Sequence, residues 1–358
     1  MSQRVALRNV TKRFGSVVAL KTISLDIEEG EFITLLGPSG CGKTTTLRLI
    51  AGFNDPDQGQ ILLGDQDITN LPPQKREIGM VFQDYALFPH LTIKENIAFP
   101  LRERRTPKEK INDRVVELLE LVRLPGVEER YPSELSGGQA QRISVARAVA
   151  YPPRVLLMDE PLGALDLKLR EAMQLELRRI QQELQITTVF VTHDQTEAMN
   201  MSDRIAVMRD GEIEQVGTAR DIYNFPQSSF VADFVGRINL LDAELLDKSG
   251  GVAELRILND VKIRAKIATE ALSKSLCVGI RPEKLAIGRL GHEDRYDNQI
   301  PGKVISSTFS GNLLDVFVDV GAGKPFLVEQ RPDQVPLEIN SPVDVCWNAQ
   351  DALVLSAE

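Results

Sequence analysis

Residues Gly37 to Thr44 read GPSGCGKT, a run whose residue types suit the binding of a phosphate group. It fits the pattern G-x-x-x-x-G-K-[ST], in which backbone N–H groups surround the phosphates and a helix N-terminus favours negative charge. In this pattern the Lys43 ammonium reaches the β- and γ-phosphates of a nucleotide, and the Thr44 hydroxyl binds Mg²⁺. A purely structural glycine turn is the weaker interpretation, because the apolar run EFITLLG precedes the motif and the helical run TTTLRLIAG follows it.

A pair of carboxylates follows another apolar run, VLLMDEP. Two adjacent acids at the end of a buried strand are costly unless they face a cation or take part in chemistry. Asp159 fits the acid on the Mg²⁺ side of a nucleotide hydrolase, and Glu160 fits a general base that polarises the attacking water. A helix-start pair before Pro161 would explain DEP alone, but with a phosphate loop in the same sheet it is the weaker interpretation.

A second glycine turn, LSGGQAQR from Leu135 to Arg142, stands before the helical run ISVARAVA. A bare turn at a helix N-terminus allows an anion to come close to the backbone, and here Ser136 and Gly138 would supply the donors. Two such turns in one chain require either two anions or one anion bound from two sides. The residues alone leave both possibilities open.

The elements that must position these residues alternate between strands and helices. A helical pattern covers about residues 92–150, and IAVMRDGEIEQVG predicts a hairpin that turns at Asp210-Gly211. Apolar strands alternating with helices predict a mainly parallel sheet covered on both faces. The predicted strands are VALRNV, ISLDI, EFITLLG, QILLGD, IGMVF, RVLLMD and TTVFVTHD. The long helix after RVLLMD carries an apolar stripe at Leu165, Leu169, Met173, Leu177, Ile180 and Leu184.

The character of the sequence changes near residue 236. Short alternating runs such as VKIRAKI, LLDVFVDVG and PVDVCW then predict a small antiparallel barrel or sandwich. We therefore predict an α/β domain over residues 1–235, with a helical subdomain over about 84–153, and an all-β domain over residues 236–358.

Composition limits the classes of function. The 358 residues carry a formal net charge of −9, which argues against a general nucleic-acid binder. The three Cys lack the spacing of a metal site and suit a reducing cytosol. Since we find no apolar run near the roughly 18 residues that a membrane helix needs, any membrane-spanning role falls to another chain.

The order of these motifs resembles the nucleotide-binding subunit of an ATP-binding cassette (ABC) transporter. The resemblance covers about residues 4–235, and LSGGQ together with LLMDEP is highly specific. It implies a P-loop NTPase fold, made of a RecA-like core with a helical subdomain, and an ATPase that uses ATP and Mg²⁺. The features that carry it are Phe14, the phosphate loop at Gly37, Gln83 after IGMVF, LSGGQ at Leu135, LLMDEP, GALD at Gly163 and His193 in VTHD.

The resemblance also implies roles for single residues. Phe14 would stack on adenine, and His193 would contact the γ-phosphate, although a lone His on a strand end is more often a core residue. Gln83 would sense the Mg²⁺ or the γ-phosphate, so that Thr44, Gln83 and Asp159 form the expected metal site. The catalytic residues would be Glu160, His193 and Gln83. Beside Phe14, ATP would be bound by Gly37, Pro38, Ser39, Gly40, Cys41, Gly42, Lys43, Thr44 and Thr45.

In this family the LSGGQ turn of one copy closes on the ATP held by another copy, which would answer the question of the second glycine turn. Because the chain carries one full set of motifs, a head-to-tail homodimer is the simplest way to complete two sites. Asp166 in GALD would lie at the dimer contact. The residues that would bind ATP in trans are Ser136, Gly137, Gly138 and Gln139.

The tail narrows the resemblance to one branch. GIRPEKLAIG from Gly279 resembles the OB-like TOBE domain of importer ATPases for sugars, polyamines, ferric iron and sulfate, and FVADFVGRINLL looks most like the spermidine/putrescine branch. The implied partners are two integral membrane permeases and, indirectly, a solute-binding protein, with no nucleic acid. The implied location is the cytoplasmic face of the inner (plasma) membrane. Whether the tail binds a regulator or only stabilises a dimer stays open.

Other interpretations remain at this stage. The apolar residues of DYALFP, Tyr85, Leu87 and Phe88, are either core packing or a groove for a permease helix. A soluble ABC-type ATPase acting on nucleic acid or ribosomes is a second class, although Gly37 and Leu135 lie too close for the long coiled coil of repair-type relatives. A non-enzymatic regulator is a third, against which the intact Lys43 and Glu160 argue.

The cysteine inside the phosphate loop gives one further expectation. The helix N-terminus and the neighbouring Lys43 should lower the pKa of the Cys41 thiol and make it more reactive than a free cysteine.

Overall fold

A computed structural model of the protein describes residues 2–258, 260–267, 275–288, 296–333 and 337–356. The chain divides into two compact units, Met1–Ala219 and Arg220–Glu358. The α/β fold and the β-rich C-terminal fold expected from the sequence are both confirmed.

The first unit contains two sheets. β2-β1-β4-β5 form an antiparallel four-stranded sheet, and the other strands form a six-stranded sheet in the order β10-β9-β3-β8-β7-β6. The second sheet is parallel except for β10, which pairs antiparallel with β9. The strands are β1 (Val5–Phe14), β2 (Val17–Ile27), β3 (Phe32–Leu36), β4 (Gln58–Leu63), β5 (Gln66–Asp67), β6 (Ile78–Val81), β7 (Val155–Asp159), β8 (Thr187–Thr192), β9 (Arg204–Arg209) and β10 (Glu212–Gly217).

Side-chain caps fix where most helices of this unit begin. Thr92 and Ser136 form capping boxes, and Asp166 and Asp194 accept hydrogen bonds from the first-turn N–H groups of their helices. The helices are α1 (Lys43–Ala51), α2 (Ile93–Glu103), α3 (Lys108–Leu121), α4 (Gly137–Ala148), α5 (Leu167–Leu184) and α6 (Gln195–Met201). No helix in the described part of the chain is long and apolar enough to cross a membrane.

The central strands β3, β7 and β8 separate two apolar cores. Alternate residues point to opposite faces, so Phe32 and Phe190 pack with the helices α2–α5, while Ile33 and Val189 pack with α1 and the antiparallel sheet. The stripe predicted for the long helix is confirmed at Met173, Leu177 and Ile180, which are buried, while Leu165 precedes α5. Leu169 and Leu184 are partly buried against the same core. The hairpin turn at Asp210-Gly211 is also confirmed, with positive φ angles of 48° and 80°.

The second unit contains a closed barrel, β11-β12-β13-β20-β14, and a five-stranded sheet, β15-β19-β16-β17-β18. The pairing of β13 with β20 is parallel, so the barrel is not purely antiparallel as the sequence suggested. Its helices are α7 (Ala219–Asn224) and α8 (Ser229–Phe234), and its strands are β11 (Asn239–Ser249), β12 (Val252–Ile257), β13 (Val261–Ile267), β14 (Leu276–Ile280), β15 (Ala286–Gly288), β16 (Asn298–Phe309), β17 (Leu314–Asp319), β18 (Phe326–Gln330), β19 (Pro342–Trp347) and β20 (Ala352–Ser356).

A buried arginine at the end of β14 binds the segment of residues 220–237 through hydrogen bonds. The Arg281 guanidinium donates hydrogen bonds to the carbonyls of Tyr223, Ala232, Gly236 and Arg237, at 3.0–3.1 Å. Residues 220–235, which the sequence pattern assigns to the first domain, therefore pack with the barrel.

Candidate active site

The chemistry-bearing residues of the first unit follow the carboxyl ends of neighbouring parallel strands. The loop from Gly37 follows β3, His193 follows β8, Glu160 follows β7, and Gln83 follows β6. These strands are adjacent in the order β3-β8-β7-β6. Carboxyl ends of parallel strands meet at one edge of a sheet, which is where such folds bind ligands. The fold thus brings four segments that are distant in sequence to one edge.

The phosphate loop has a backbone shape that requires glycine at Gly42. Its φ is +107°, and a Cβ there would lie 2.8 Å from the carbonyl oxygen of Ala19. Within the described residues, the N–H groups of Gly40, Gly42 and Thr44 have no acceptor in the protein. Unpaired N–H groups at the start of a helix form a site for an anion.

The Lys43 ammonium lies in the centre of this loop. It is nearly buried, and it donates to the carbonyl oxygens of Gly37 at 2.7 Å and Pro38 at 3.0 Å. The Lys43 ammonium, the one cationic side chain of the loop, therefore lies at the same anion site as the free N–H groups. Ser39 is exposed, and Thr45 is the third residue of α1.

The expectation of a reactive thiol in this loop is wrong. Cys41 is only 3% exposed. Burial raises the pKa of its thiol, and the Lys43 ammonium, 3.9 Å from Sγ, offsets this only in part. Because a thiol reacts as the thiolate, the structure makes Cys41 less reactive than a free cysteine. The sequence pattern showed the nearby positive charge and did not show the burial.

Thr44 and Asp159 come together across the sheet edge. The Thr44 hydroxyl donates to Asp159 Oδ1 at 3.1 Å. Burial raises the pKa of Asp159, while the hydrogen bond from Thr44 and the charges of Arg48 and Lys43 lower it. The carboxylate is thus partly desolvated and lacks a close cationic partner among the described residues, as a ligand for a divalent cation would.

Glu160 and His193 form the second pair at the edge. His193 Nδ1 lies 3.2 Å from Glu160 Oε2. Glu160 has a left-handed backbone, with φ +45°, and its N–H donates to the carbonyl of Val191. Left-handed backbone in a residue other than glycine costs of order 1–3 kcal/mol and is common at functional sites. This conformation turns the Glu160 side chain out of the line of β7, a feature that the residue types did not reveal.

The segment around His193 is fixed by residues that sequence reasoning missed. The Thr192 hydroxyl donates to Glu197 at 2.6 Å, and Asp194 caps α6. Arg170 on α5 lies 3.3 Å from Asp194 and donates to the carbonyl of Leu165 at 3.0 Å. Arg170 therefore connects the turn after His193 to the GALD turn.

Gln83 lies on the exposed segment after β6. Its Nε2 lies 3.8 Å from the position that a Cβ at Gly163 would take. The following backbone is left-handed at Tyr85 and Ala86, and Arg147 on α4 donates to both carbonyls at 3.1 Å and 2.7 Å. A half-buried arginine thus holds the segment that carries Gln83, and sequence reasoning missed it.

The second glycine turn begins α4. Ser136 Oγ accepts from the Gln139 N–H, and Gln139 Oε1 accepts from the Ser136 N–H. A Cβ at Gly138 would lie 2.8 Å from Leu169 Cδ1, so α4 packs closely against the Leu169 side chain of α5 at this glycine. Gly137 lies beside Leu165.

No hydrogen bond or ion pair within the described residues joins the segment 136–139 to the phosphate loop. Binding of a second copy's nucleotide by Ser136, Gly137, Gly138 and Gln139 stays a prediction.

Two further predicted residues occupy exposed positions. Phe14 ends β1, is 49% exposed, and has the Lys12 ammonium 5.3 Å from its ring centre. Asp166 caps α5 through a hydrogen bond from the Leu169 N–H at 3.1 Å. Both stay predictions, as contacts of adenine and of a second copy.

The apolar segment after Gln83 is expected from the sequence to be either core packing or a groove for a permease helix, and its residues do not all fit the same one. Tyr85 and Leu87 pack against the buried core of the helices. The rings of Phe88 and Phe99 lie 4.6 Å apart, centre to centre, at an angle of 47°, and Phe99 is partly exposed. Core packing accounts for the first two, and a partly open aromatic pair remains at the surface.

Comparisons with known proteins show the family to which the chain belongs. Residues 20–163 match the family described as ABC transporter, and residues 278–355 match the family described as TOBE domain. The spermidine/putrescine import ATP-binding protein PotA of Acidothermus cellulolyticus is 47% identical over 348 residues, which cover 96% of this chain and 91% of the relative. Proteins of the same name from Rubrobacter xylanophilus and Vibrio cholerae are 44% and 46% identical, over 99% of this chain and 94% and 95% of theirs.

Two solved structures are similar to the first part of the chain. One is a dimeric bacterial ABC transporter cassette, with a TM-score of 0.55, and the other is a dimeric cassette in a post-hydrolysis state bound to ADP and Pi, with a TM-score of 0.54. Each is 36% identical and covers 60% of this chain and 99% of its own. The resemblance inferred from the motifs is confirmed: the chain belongs to the ABC transporter family, among the ATP-binding subunits that end in a TOBE domain.

Proposed function

We propose that the chain is the ATP-hydrolysing, energy-coupling subunit of an ABC importer for polyamines such as spermidine and putrescine. The observation that carries the hydrolytic role is the pair Glu160–His193, 3.2 Å apart, beside the pair Thr44–Asp159 and the phosphate loop. A base, a hydrogen-bonding partner for it, and an anion cradle at one sheet edge are what phosphoryl transfer to water requires.

The phosphate loop binds the nucleotide through its free N–H groups. The Lys43 ammonium exchanges the carbonyls of Gly37 and Pro38 for phosphate oxygens, since a charged acceptor makes the stronger hydrogen bond. The exposed Phe14 ring stacks on the base. The rest of the loop, from Ser39 to Thr45, follows the nucleotide through its backbone.

Glu160 accepts the proton of the water that attacks the γ-phosphorus, and the bond to the β-phosphate oxygen breaks to leave ADP and phosphate. His193 fixes the Glu160 carboxylate on one side and reaches the γ-phosphate on the other. Gln83 reports the state of the site through the backbone that Arg147 holds.

The residues present fit a magnesium ion. Thr44 supplies a hydroxyl, Asp159 a partly desolvated carboxylate, and Gln83 an amide oxygen. One carboxylate with neutral oxygens and substrate phosphates is a usual set for Mg²⁺, which needs no cluster of acids. When bound, the ion would neutralise charge that develops on the phosphates.

Two copies complete two sites in a head-to-tail homodimer. Ser136, Gly137, Gly138 and Gln139 of each copy contact the nucleotide of the other, with Asp166 at the contact. Support comes from the exposure of Ser136 and Gly137 at the start of α4, and from the dimeric state of the similar solved cassettes.

Transport requires partners. We infer two membrane permeases, with Phe88 and Phe99 at the docking groove, a solute-binding protein that acts indirectly, and a place on the cytoplasmic face of the membrane. The names of relatives at 44–47% identity support polyamines over sugars, ferric iron or sulfate. The same names and the negative net charge argue against a role on nucleic acid.

Mixed dimers test the completion of the site in trans. Ser136→Arg blocks the turn, and Lys43→Ala disables the loop, so each variant alone loses nucleotide occlusion at both sites. In a mixed dimer one site keeps an intact loop and an intact turn, and a crosslinkable ATP analogue should label one site per dimer. Labelling that follows a subunit's own Ser136, whatever the partner carries, contradicts the proposal.

Uptake tests the cargo. Cells that lack their own polyamine importer should regain labelled spermidine or putrescine uptake when this chain is expressed with its genomically adjacent permeases and binding protein. The Glu160→Gln form is the control and should fail. Uptake of a sugar, ferric iron or sulfate instead would refute the assignment of polyamines as the cargo, but it would not contradict the proposed ATPase role.

A further inference from the structure

A cavity of about 520 Å³ lies between α2, α3 and residue Glu129 in the helical part of the first unit. It is lined by three cationic side chains, Lys94, Arg102 and Lys108. The volume lies within the range of small-molecule sites. None of the roles above uses this cavity.

Within the described residues, no ion pair within 4 Å and no side-chain hydrogen bond occupies Lys94, Arg102 or Lys108. The charge of Arg102 does act on Glu95, where it contributes to a lowered pKa of that carboxyl. These side chains contrast with Arg104 at the end of α2, whose guanidinium stacks 3.8 Å above Tyr151 and lies 3.9 Å from Glu77. The charge that lines the cavity is therefore available to a ligand.

Neutral donors accompany these charges. The hydroxyl of Thr106 and the amide of Asn112 line the same cavity and have no side-chain partner among the described residues. The buried side chains of Ala98 and Ile111 form an apolar part of the wall. The lining thus combines cations, neutral donors and an apolar surface.

Two carboxylates also line the cavity, with different effects. Glu95 belongs to the capping box of α2 and accepts from the Thr92 N–H at 3.0 Å, so its charge is directed to the backbone. Glu129 has no such partner in the described residues and opposes an anion. Over residues 94–110 the chain still carries six basic and three acidic side chains, in a protein of net charge −9.

We propose that this cavity binds a phosphate ester. Lys94 and Lys108 place point charges, Arg102 offers a planar fork of donors, and Thr106 and Asn112 add neutral hydrogen bonds, a set that suits phosphate oxygens. The apolar wall suits the carbon part of the ester. The ester is either a soluble phosphorylated metabolite or the headgroup of an anionic phospholipid, and the test separates the two.

The test compares the full chain with two triple variants. The cavity variant is Lys94→Gln/Arg102→Gln/Lys108→Gln. The matched control, Lys75→Gln/Arg105→Gln/Lys110→Gln, removes the same charge from exposed positions outside the cavity. One probe is glycerol 3-phosphate, measured by calorimetry at about 50 mM salt so that screening is weak. The other is sedimentation with phosphatidylglycerol vesicles, against phosphatidylcholine vesicles. The phosphate loop is intact in all three proteins, so any binding of a probe to that loop contributes equally to the three measurements.

We expect the cavity variant to bind about 100-fold more weakly than the control, since it loses three charge-assisted contacts. Loss on glycerol 3-phosphate assigns a soluble ester, and loss on vesicles alone assigns a lipid headgroup. A separate Glu129→Gln variant should bind about threefold more tightly, because it removes the opposing charge. Equal binding by the cavity and control variants, or no binding of either probe, overturns the proposal; the second result would leave an acidic protein segment as the ligand class.

Discussion

Replacing Glu160 by Gln is the sharpest test of the hydrolytic site. The change keeps the shape of the side chain and removes its charge and its basicity. Gln tolerates the left-handed backbone at this position as well as Glu does, and its amide can still face His193 Nδ1, 3.2 Å from the present carboxylate. The fold and the nucleotide cradle should therefore survive.

The expected loss follows from the role of a general base. Such groups contribute about 10²–10⁴ in rate, which corresponds to about 3–5 kcal/mol of activation free energy. A lesser effect acts on Asp159, whose pKa is raised in part by the neighbouring Glu160 charge, so the variant should bind a divalent cation no worse than the original chain. Turnover should thus fall by at least about 100-fold while ATP binding is retained.

Phosphate release under saturating Mg-ATP measures the turnover, and gel filtration with Mg-ATP measures the dimer. We expect the variant to elute as a stable ATP-bound dimer, because the sandwich forms and is not hydrolysed. Glu120→Gln, an exposed carboxylate on α3, is the matched control and should stay within twofold of the original rate. Near-normal hydrolysis by Glu160→Gln would refute the assignment of the base.

Three further predictions test the structure around the site and in the second unit. Cys41 should stay unalkylated by iodoacetamide in the native chain without nucleotide and react in urea, as mass spectrometry would show; rapid native labelling would contradict its burial and raised pKa. Gly138→Ala should raise the free energy of unfolding by less than the about 1 kcal/mol that Ala gains over Gly in a helix, because the new Cβ would lie 2.8 Å from Leu169 Cδ1, and the full gain in urea titrations would contradict this packing. Burial and the hydrogen bond to Glu283 raise the pKa of Tyr223 to about 12, so its stabilising contribution is complete below about pH 10 and is lost as the pH rises through about 12. The difference between the phenolate absorbance titrations of the original chain and Tyr223→Phe should show this step, and a step near pH 10 would refute the pairing.

Strand and helix positions could be predicted from the sequence because they depend on local periodicity. The apolar run before Gly37, the stripe on α5 and the turn at Asp210-Gly211 each follow from side chains that lie next to one another in the chain. Motif order then gave the residues that converge on the sheet edge. Parallel strands with adjacent carboxyl ends need no further information to bring Glu160 and His193 together.

The rest could not be predicted because it depends on long-range packing. The charge of Lys43 was visible beside Cys41, but the burial that outweighs it arises from residues elsewhere in the chain. The roles of Arg147 and Arg170 depend on which carbonyls they meet, and those carbonyls are fixed only in the folded chain. The parallel pairing of β13 with β20 joins strands separated by most of the second unit, and no local pattern indicates it.

One helix connects the two parts of the proposed mechanism. The N-terminus of α4 carries the turn at Ser136, and Arg147 near its C-terminus donates to the carbonyls of Tyr85 and Ala86, just after Gln83. A helix of this length moves as a rigid element, and the packing of Gly138 against Leu169 leaves little space for it to slide without α5. In the proposed dimer, closure of the turn on the partner's nucleotide would therefore shift the backbone that carries Gln83. The strained, left-handed conformation of that backbone is held by Arg147, so a displacement of α4 acts directly on the segment where a membrane partner would dock.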